Sequence, residues 1–380
     1  MDGTLVIEGP VLRGGRITTG VVEIVGGRIA PPGAASRRRR MRLPEGWIVS
    51  PGFTDLQVNG LAGAEVGDDP DALAHIALHL PRHGVTAFCP TLVTRGMSGY
   101  RAAARAIGRA PWPAHGARSL GPHLEGPFLA PARAGAHRPA LMRDPSPDAV
   151  RALAALLRPA IVTLAPELPG ALDAVRHLAA AGVLVAVGHT DAPAACARAA
   201  IDAGARMLTH CLNAMPGMTA REPGPAGVFL AHPAAHVGVI ADGVHLAPEL
   251  LALVASAAGR RLVAVSDAVA PAGAAPGEYA LGGRRVRSDG REVRDRAGRL
   301  AGSAATLATA PATLLEAGMP RSAAVGAAAL APRRALGLDD PFAAGAPADL
   351  VLLDRDLVPR ATLIAGVAVW RDPLAPDQLP

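Results

Sequence analysis

The sequence predicts an α/β protein: a (β/α)8 barrel of the TIM type carrying a small β domain built from both ends of the chain. Three observations predict it. Short apolar runs alternate with helix-like stretches through the middle of the chain, and both ends are β-like. Glu125, His189, His210 and Asp267 each close one of the apolar runs, in GPHLEGPF, LVAVGHT, MLTHCLNAMP and LVAVSDAVAP. In such a barrel the C-terminal strand ends gather at one mouth, where the chemistry takes place.

The first fifty residues read as strands, TLVIEG and then VVEIVGGRIA, whose Gly-Gly pair turns between two strand-like halves. Arg37 to Arg40, in a Gly/Pro/Ala-rich stretch, read as a solvated loop between two strands. Apolar strand candidates follow near 53–58, 85–89, 118–124, 161–165, 184–188, 207–211, 237–241 and 262–266. Continuous apolar runs of this length suit parallel strands buried on both faces. Helix-like stretches at 71–83, 98–110, 147–157, 170–181, 193–203 and 247–258 fill most of the gaps. The glycine- and arginine-rich segment 278–300 reads as a β excursion, and helices near 303–317 and 321–330 close the barrel. DLVLLD at 349–354 and LIAGVAVW at 363–370 return to the small domain. The expected limits are 1–50 plus 339–380 for the small sheet and 51–338 for the barrel.

Composition narrows the function. A chain of 380 residues, half of them hydrophobic, can bury a barrel-sized core and a satellite. Lysine is absent, so all 38 basic residues are arginine, a compositional bias rather than a functional sign. The net charge of +6 could favour anionic partners. With no aromatics interleaved among the arginines and no nucleic-acid motif, nucleic acid is not an expected partner. Cys89, Cys196 and Cys211 are odd in number and form no CxxC pair, which fits a reducing compartment. No signal-peptide core follows Met1 and no long uninterrupted apolar run occurs, so a soluble cytoplasmic protein is expected, without a membrane partner.

One glutamate and two imidazoles are a donor set for a divalent ion that leaves a fourth position open to water. Asp267 would move the proton of that water to a leaving nitrogen. Cys211 follows His210 directly and on a strand points to the opposite face, so it reads as packing. Gln57 and Asn59 share one face of the first barrel strand. His75, His79 and His83 recur every four residues on one helix face, but that helix belongs in the outer ring, and a solvated face is the reading preferred. Asn213 and Ala214, Arg221 in TAREPGPAG, His245 in IADGVHL and His137 in RAGAHRP surround the ligands as candidate substrate contacts. Arg221 is either an anion binder or the partner of neighbouring Glu222. Ser303, in LAGSAATL, could close the site at a helix N-terminus, act as an N-cap, or do both.

Read in order, PGFTDLQVNG, GPHLEGPFL, RAGAH, VTLAPE, VGHT, THCLNAMP, REPG, ADGVH, VSDAVAPAG and LAGSA resemble the N-acetylglucosamine-6-phosphate deacetylases of the amidohydrolase superfamily. The resemblance runs from about Pro51 to Thr306. It implies Glu125, His189 and His210 as metal ligands and Asp267 as the acid/base. It implies His137 near the scissile amide with Ala136 beside it, and Asn213, Ala214, Arg221 and His245 around the sugar phosphate. It also implies a homodimer, since arginine and histidine of this kind can cross a dimer interface in the family. Many amidohydrolases carry His-x-His on the first strand and hold a second metal. Here that pair is Gln57 and Asn59, poor zinc ligands, so one zinc-type ion per subunit is expected. The expected activity is release of acetate from N-acetylglucosamine 6-phosphate. The alternatives are the galactosamine epimer and a non-catalytic sugar-phosphate binder.

Overall fold

The computed structural model describes residues 4–34 and 39–379. Its middle is the expected barrel. Parallel strands Phe53–Val58, Val85–Val93, His123–Glu125, Ile161–Leu164, Leu184–Val187, Met207–Leu208, His236–Ile240 and Leu262–Val265 run in chain order around it. The third strand is broken: Arg118–Ser119 pairs with the second strand, Gly121 turns at φ 104°, and His123–Glu125 resumes. Strand residues alternate between two clusters. Ile161, Leu184, Ala186, Val263 and Val265 pack inward with Leu56, Cys89 and Met207. Val162, Val185, Val187 and Ala264 pack outward with helix residues such as Leu153, Val175 and Val254.

Closure between the last and first strands uses side chains where a regular ladder would run. Ser266 donates from its backbone N to Asp55 Oδ1 (3.2 Å) and from its hydroxyl to Gln57 O (3.2 Å). The backbone of Ala268 then bridges to Val58, accepting from Asn59 N at 2.8 Å. Burial pushes the Asp55 carboxyl up to about 7 despite the hydrogen bonds it accepts.

Helices Pro70–His79, Met97–Arg109, Pro147–Leu157, Ala171–Ala180, Ala194–Ala203 and Pro248–Ala258 stand where the sequence placed them. One more, Gly224–Ala231, fills the sixth gap. The segment after the last strand is a four-stranded antiparallel sheet, Gly277–Leu281, Arg284–Ser288, Glu292–Asp295 and Leu300–Ser303. Its last strand reaches Ser303, so the helix expected from 303 begins later, at Ala310 after a 3-10 turn. Ser303 is therefore no N-cap; Thr306 and Thr309 occupy the cap positions.

Both chain ends form one sheet, in the order Val367–Arg371, Pro359–Ile364, Leu350–Leu353, Ile48–Pro51, Thr4–Arg13, Arg16–Val25 and Arg28–Ile29. Gly14 and Gly15, both at positive φ (58° and 80°), make the two-residue turn of its longest hairpin. The arginine cluster is corrected in part. Arg39–Arg42 is a strand parallel to Thr4–Arg13, because Met41 between the arginines is buried in the small domain's core. Arg37 and Arg38 lie outside the described residues. The outer-ring histidines are also not simply solvated. His75 bonds Ala62 O (3.1 Å), His79 bonds His75 O (2.8 Å) and His83 bonds the Thr306 hydroxyl (3.1 Å), each half-buried. Among the described residues no helix is long and apolar enough to cross a membrane.

Candidate active site and metal centre

His189, His210 and Asp267 each lie two residues beyond their strand, after Val187, Leu208 and Val265. All three adopt positive φ (47°, 28° and 48°), a conformation L-residues seldom take and one that concentrates at functional sites. The same local bend thus turns three side chains into the mouth. Glu125 arrives differently, as the last residue of its strand and on the same face as His123.

The four converge. His210 Nε2 lies 3.2 Å from Glu125 Oε1 and 3.2 Å from His189 Nε2, and His189 Nε2 lies 3.3 Å from Glu125 Oε1. His189 donates from Nδ1 to Arg133 O (2.9 Å), which leaves Nε2 with its lone pair facing this point. A tetrahedral ion with bonds of about 2.0 Å has ligand–ligand edges of about 3.3 Å, so these three atoms form one face of such a site. Among the described residues this is the one cluster of three or more such side chains able to hold a metal, and all three members are buried. Burial alone would raise the Glu125 carboxyl, but bonds to His137, His189 and His210 hold it well below the usual carboxylate range.

The amides of the first strand complete the floor. Gln57 Nε2 donates to both Glu125 Oε1 (2.8 Å) and Asp267 Oδ1 (3.0 Å). Asn59 Nδ2 donates to the same Asp267 Oδ1 (2.7 Å). Two donors on Oδ1 leave Oδ2 as the oxygen free for proton transfer. Burial, then the charge of Glu125, push the Asp267 carboxyl up to about 6. The Thr94 backbone N–H, which can only donate, bonds His137 Nδ1 (3.2 Å), so the neutral ring carries its proton on Nε2, 3.4 Å from Glu125 Oε2.

Next to this cluster lies a polar layer that sequence reading missed. His123 donates from Nδ1 to Leu56 O (2.9 Å) and accepts at Nε2 from Thr163 (2.7 Å), which meets Thr209 at 2.8 Å. Burial pushes this imidazole down to about 4, so it stays neutral. The signal was present in GPHLE, where His123 shares the face of Glu125.

A cavity of about 340 Å³ opens over the cluster, and every candidate site residue lines it except Arg221 and Ser303. Arg221 is exposed on the loop beyond Met215 and lies outside this chain's cavity. Its ion pair with Glu222 does not form: Glu222 Oε1 instead accepts from Ala194 N (2.7 Å) and Gly224 N (3.0 Å). Ser303 is buried behind the wall. Arg299, which the motifs did not single out, lines the cavity while bonded to Asp295 (2.7 Å). Cys211 is buried in the outer core, as alternation implied. A larger cleft of about 1020 Å³ beside Glu65 and Arg95 gathers no comparable ligand set.

Fold and site together define a barrel hydrolase with a buried Glu-His-His cluster at its mouth that is able to hold a metal ion. The sequence matches the amidohydrolase family over residues 48–369, and the chain belongs to that family. It is 38% identical to the N-acetylgalactosamine-6-phosphate deacetylase of Escherichia coli O157:H7, over 84% of this chain and 87% of the relative. It is 37% identical to the N-acetylglucosamine-6-phosphate deacetylase of Bos taurus, over 95% and 94%. Its structure superposes, with a TM-score of 0.86, on a variant of the Mycobacterium smegmatis N-acetyl-D-glucosamine-6-phosphate deacetylase in complex with N-acetyl-D-glucosamine-6-phosphate. That pair is 36% identical, covering 96% of this chain and 99% of the other.

Proposed function

We propose that this protein hydrolyses the acetamide of N-acetylglucosamine 6-phosphate, giving glucosamine 6-phosphate and acetate. The observation that carries the reading is the convergence of Glu125, His189 and His210 on one point, with Asp267 and His137 beside it. Glu125, His189 and His210 would hold one divalent ion, of zinc type by its mixed nitrogen and oxygen donors. When bound, the ion acidifies water and polarises the amide carbonyl.

The rest is done by the chain. Asp267, with Oδ1 fixed by two amides, uses Oδ2 to take a proton from water and deliver it to the leaving nitrogen. His137, with Nδ1 occupied by Thr94, offers Nε2–H to the acetamide oxygen, and Ala136 lines the wall beside it. Asn213, Ala214 and His245 line the cavity as contacts for the sugar phosphate. Arg221, exposed outside its own cavity, suits supply to a second subunit, so a homodimer belongs to the proposal. So do the limits 51–338 for the catalytic barrel and a cytoplasmic setting, the latter supported by three unpaired cysteines.

A second reading, the galactosamine 6-phosphate epimer, is favoured by the near-equal identity to relatives named for either sugar. Acetate release from both epimers and their unphosphorylated forms, with and without a chelator, tests both. No release from either phosphorylated epimer by metal-replete protein refutes the proposal. A higher kcat/KM on the galactosamine epimer moves it to the second reading.

A further inference from the structure

Asp242, in the loop after the seventh barrel strand, accepts four hydrogen bonds beside the cavity, and the reaction outlined above does not use it. Its Oδ1 accepts from Val244 N (2.9 Å) and His245 N (3.0 Å), closing the loop on itself. Its Oδ2 accepts from His245 Nδ1 (2.8 Å) and from the Ser303 hydroxyl (2.7 Å). Both side chains of the Asp242–His245 pair are buried, at 4% and 6% exposure. Burial would raise the Asp242 carboxyl, but the bonds from His245 and Ser303 hold it down at about 2, so it stays ionised.

The Ser303 hydroxyl has one proton, and that proton is committed to Asp242. Its oxygen also accepts from Ala305 N (3.0 Å), and the residue is 1% exposed. Ser303 is thus not free to donate to a substrate. Its backbone N donates to Asp267 O (2.9 Å). One residue therefore mounts both the acid/base aspartate, through its main chain, and Asp242, through its side chain.

We propose that Asp242 is the positioning residue of His245: it accepts Nδ1–H, so that the ring, protonated on both nitrogens in the complex, donates Nε2–H to the anionic end of the substrate, with Ser303 acting through Asp242 as a second arm. The inference rests on the sugar-phosphate reading of the cavity. Asp242 sets which ring nitrogen faces the ligand, as carboxylates do behind histidines elsewhere. Asp242→Asn keeps the shape but places an amide where the ring needs an acceptor.

The test uses the metal-replete full-length enzyme on N-acetylglucosamine 6-phosphate. Asp242→Asn raises KM about tenfold with kcat changed less than about threefold, the loss of one bond to a charged group. In a His245→Ala background the same substitution changes KM less than about twofold, because a residue acting through another has nothing left to position. Unphosphorylated N-acetylglucosamine shows no KM difference between the enzyme and Asp242→Asn. Additive losses in the double variant, or an unchanged KM in folded Asp242→Asn, overturn the proposal. If Asp242→Asn does not fold, Ser303→Ala replaces it, with a KM rise of about threefold that vanishes in the His245→Ala background; losses on both backgrounds overturn it. Failure of the activity assignment is distinguishable, since it is absence of acetate release by the unmutated enzyme. In that event nitrogen NMR of the His245 ring decides: a protonated Nδ1 that is lost in Asp242→Asn supports the clamp, and an unprotonated Nδ1 in the parent protein refutes it.

Discussion

Replacing Asn59 by leucine separates the roles of an amide that serves catalysis and stability in opposite directions. Asn59 Nδ2 makes one bond, at 2.7 Å to Asp267 Oδ1, while its own Oδ1 is buried without a partner. The carboxylate fixes this orientation, since a flipped amide would set oxygen against oxygen. Leucine has nearly the same shape and leaves the backbone bonds to Ala268 and Val66 intact. A bond to a charged acceptor contributes about 1.5 kcal/mol or more, equivalent to about one pKa unit. Losing this donor destabilises the ionised form of Asp267, whose carboxyl already lies high, at about 6. The acid limb of kcat/KM against pH therefore moves up by about one unit in Asn59→Leu. Removal of an orphaned buried acceptor offsets the lost bond, so the melting temperature stays level or rises. The assay is a pH series of acetate release at saturating metal, paired with thermal unfolding of the same samples. An unmoved acid limb refutes the role given to Asp267 Oδ1, and a large fall in melting temperature refutes the accounting for Asn59 Oδ1.

Other outcomes follow from the same geometry. Asp267→Asn retains metal and substrate binding but lowers kcat by a factor of about 10² or more, measured by acetate release; near-normal turnover contradicts its proton-transfer role. Bulk metal analysis finds one tightly held ion per chain, because the Gln57 amide already bridges Glu125 and Asp267 where a second cation would sit; two ions per chain refute this. Asp55→Asn flattens the dependence of stability on pH. With a folded pKa of about 7 against 3.8, Asp55 favours the folded state below about pH 4, and this contribution is lost as pH rises through 7. The variant therefore gains on the parent over that window by up to the order of 4 kcal/mol, read by denaturant titration at pH 4 and pH 8. A constant difference between the two proteins sinks the claim.

The barrel and the convergence of Glu125, His189, His210 and Asp267 at its mouth were legible because each of these residues ends an apolar run, and strand ends share one mouth. What stayed hidden depended on partners far away in the chain. Gln57 and Asn59 could be placed on one face, but their bonds to Asp267 span more than 200 residues. His123 and Asp242 sit inside recognised motifs, yet their acceptors and donors, Leu56, Thr163 and Ser303, come from other strands. The helix Gly224–Ala231 escaped notice because GPAGVFLA has no polar face and begins on Gly-Pro. Arg39–Arg42 was read as a loop from its charge, while a single buried Met41 decides its pairing. Arg221 was weighed against Glu222 as a local pair, and capping of the Ala194–Ala203 helix claimed that carboxylate instead.

The positive φ shared by His189, His210 and Asp267 links these pieces. Each costs on the order of 1 kcal/mol or more, and such strain persists only where the surroundings over-determine it. Here they do. Asn213 N and Cys211 N bond His210 O and Gly238 O, Ala130 N bonds His189 O, and Ser303 N bonds Asp267 O. Apart from Gly238 on the neighbouring barrel strand, the partners come from loops and from the antiparallel excursion. The excursion therefore has a structural reason to exist at this mouth. Its last strand pins Asp267 by the main chain and Asp242 by a hydroxyl, so the proton-transfer end and the far wall of the cavity keep one spacing. A barrel without it would still bring four side chains to the rim, but the left-handed turn at Asp267 would lose its main-chain bond to Ser303 and rest on the first barrel strand alone.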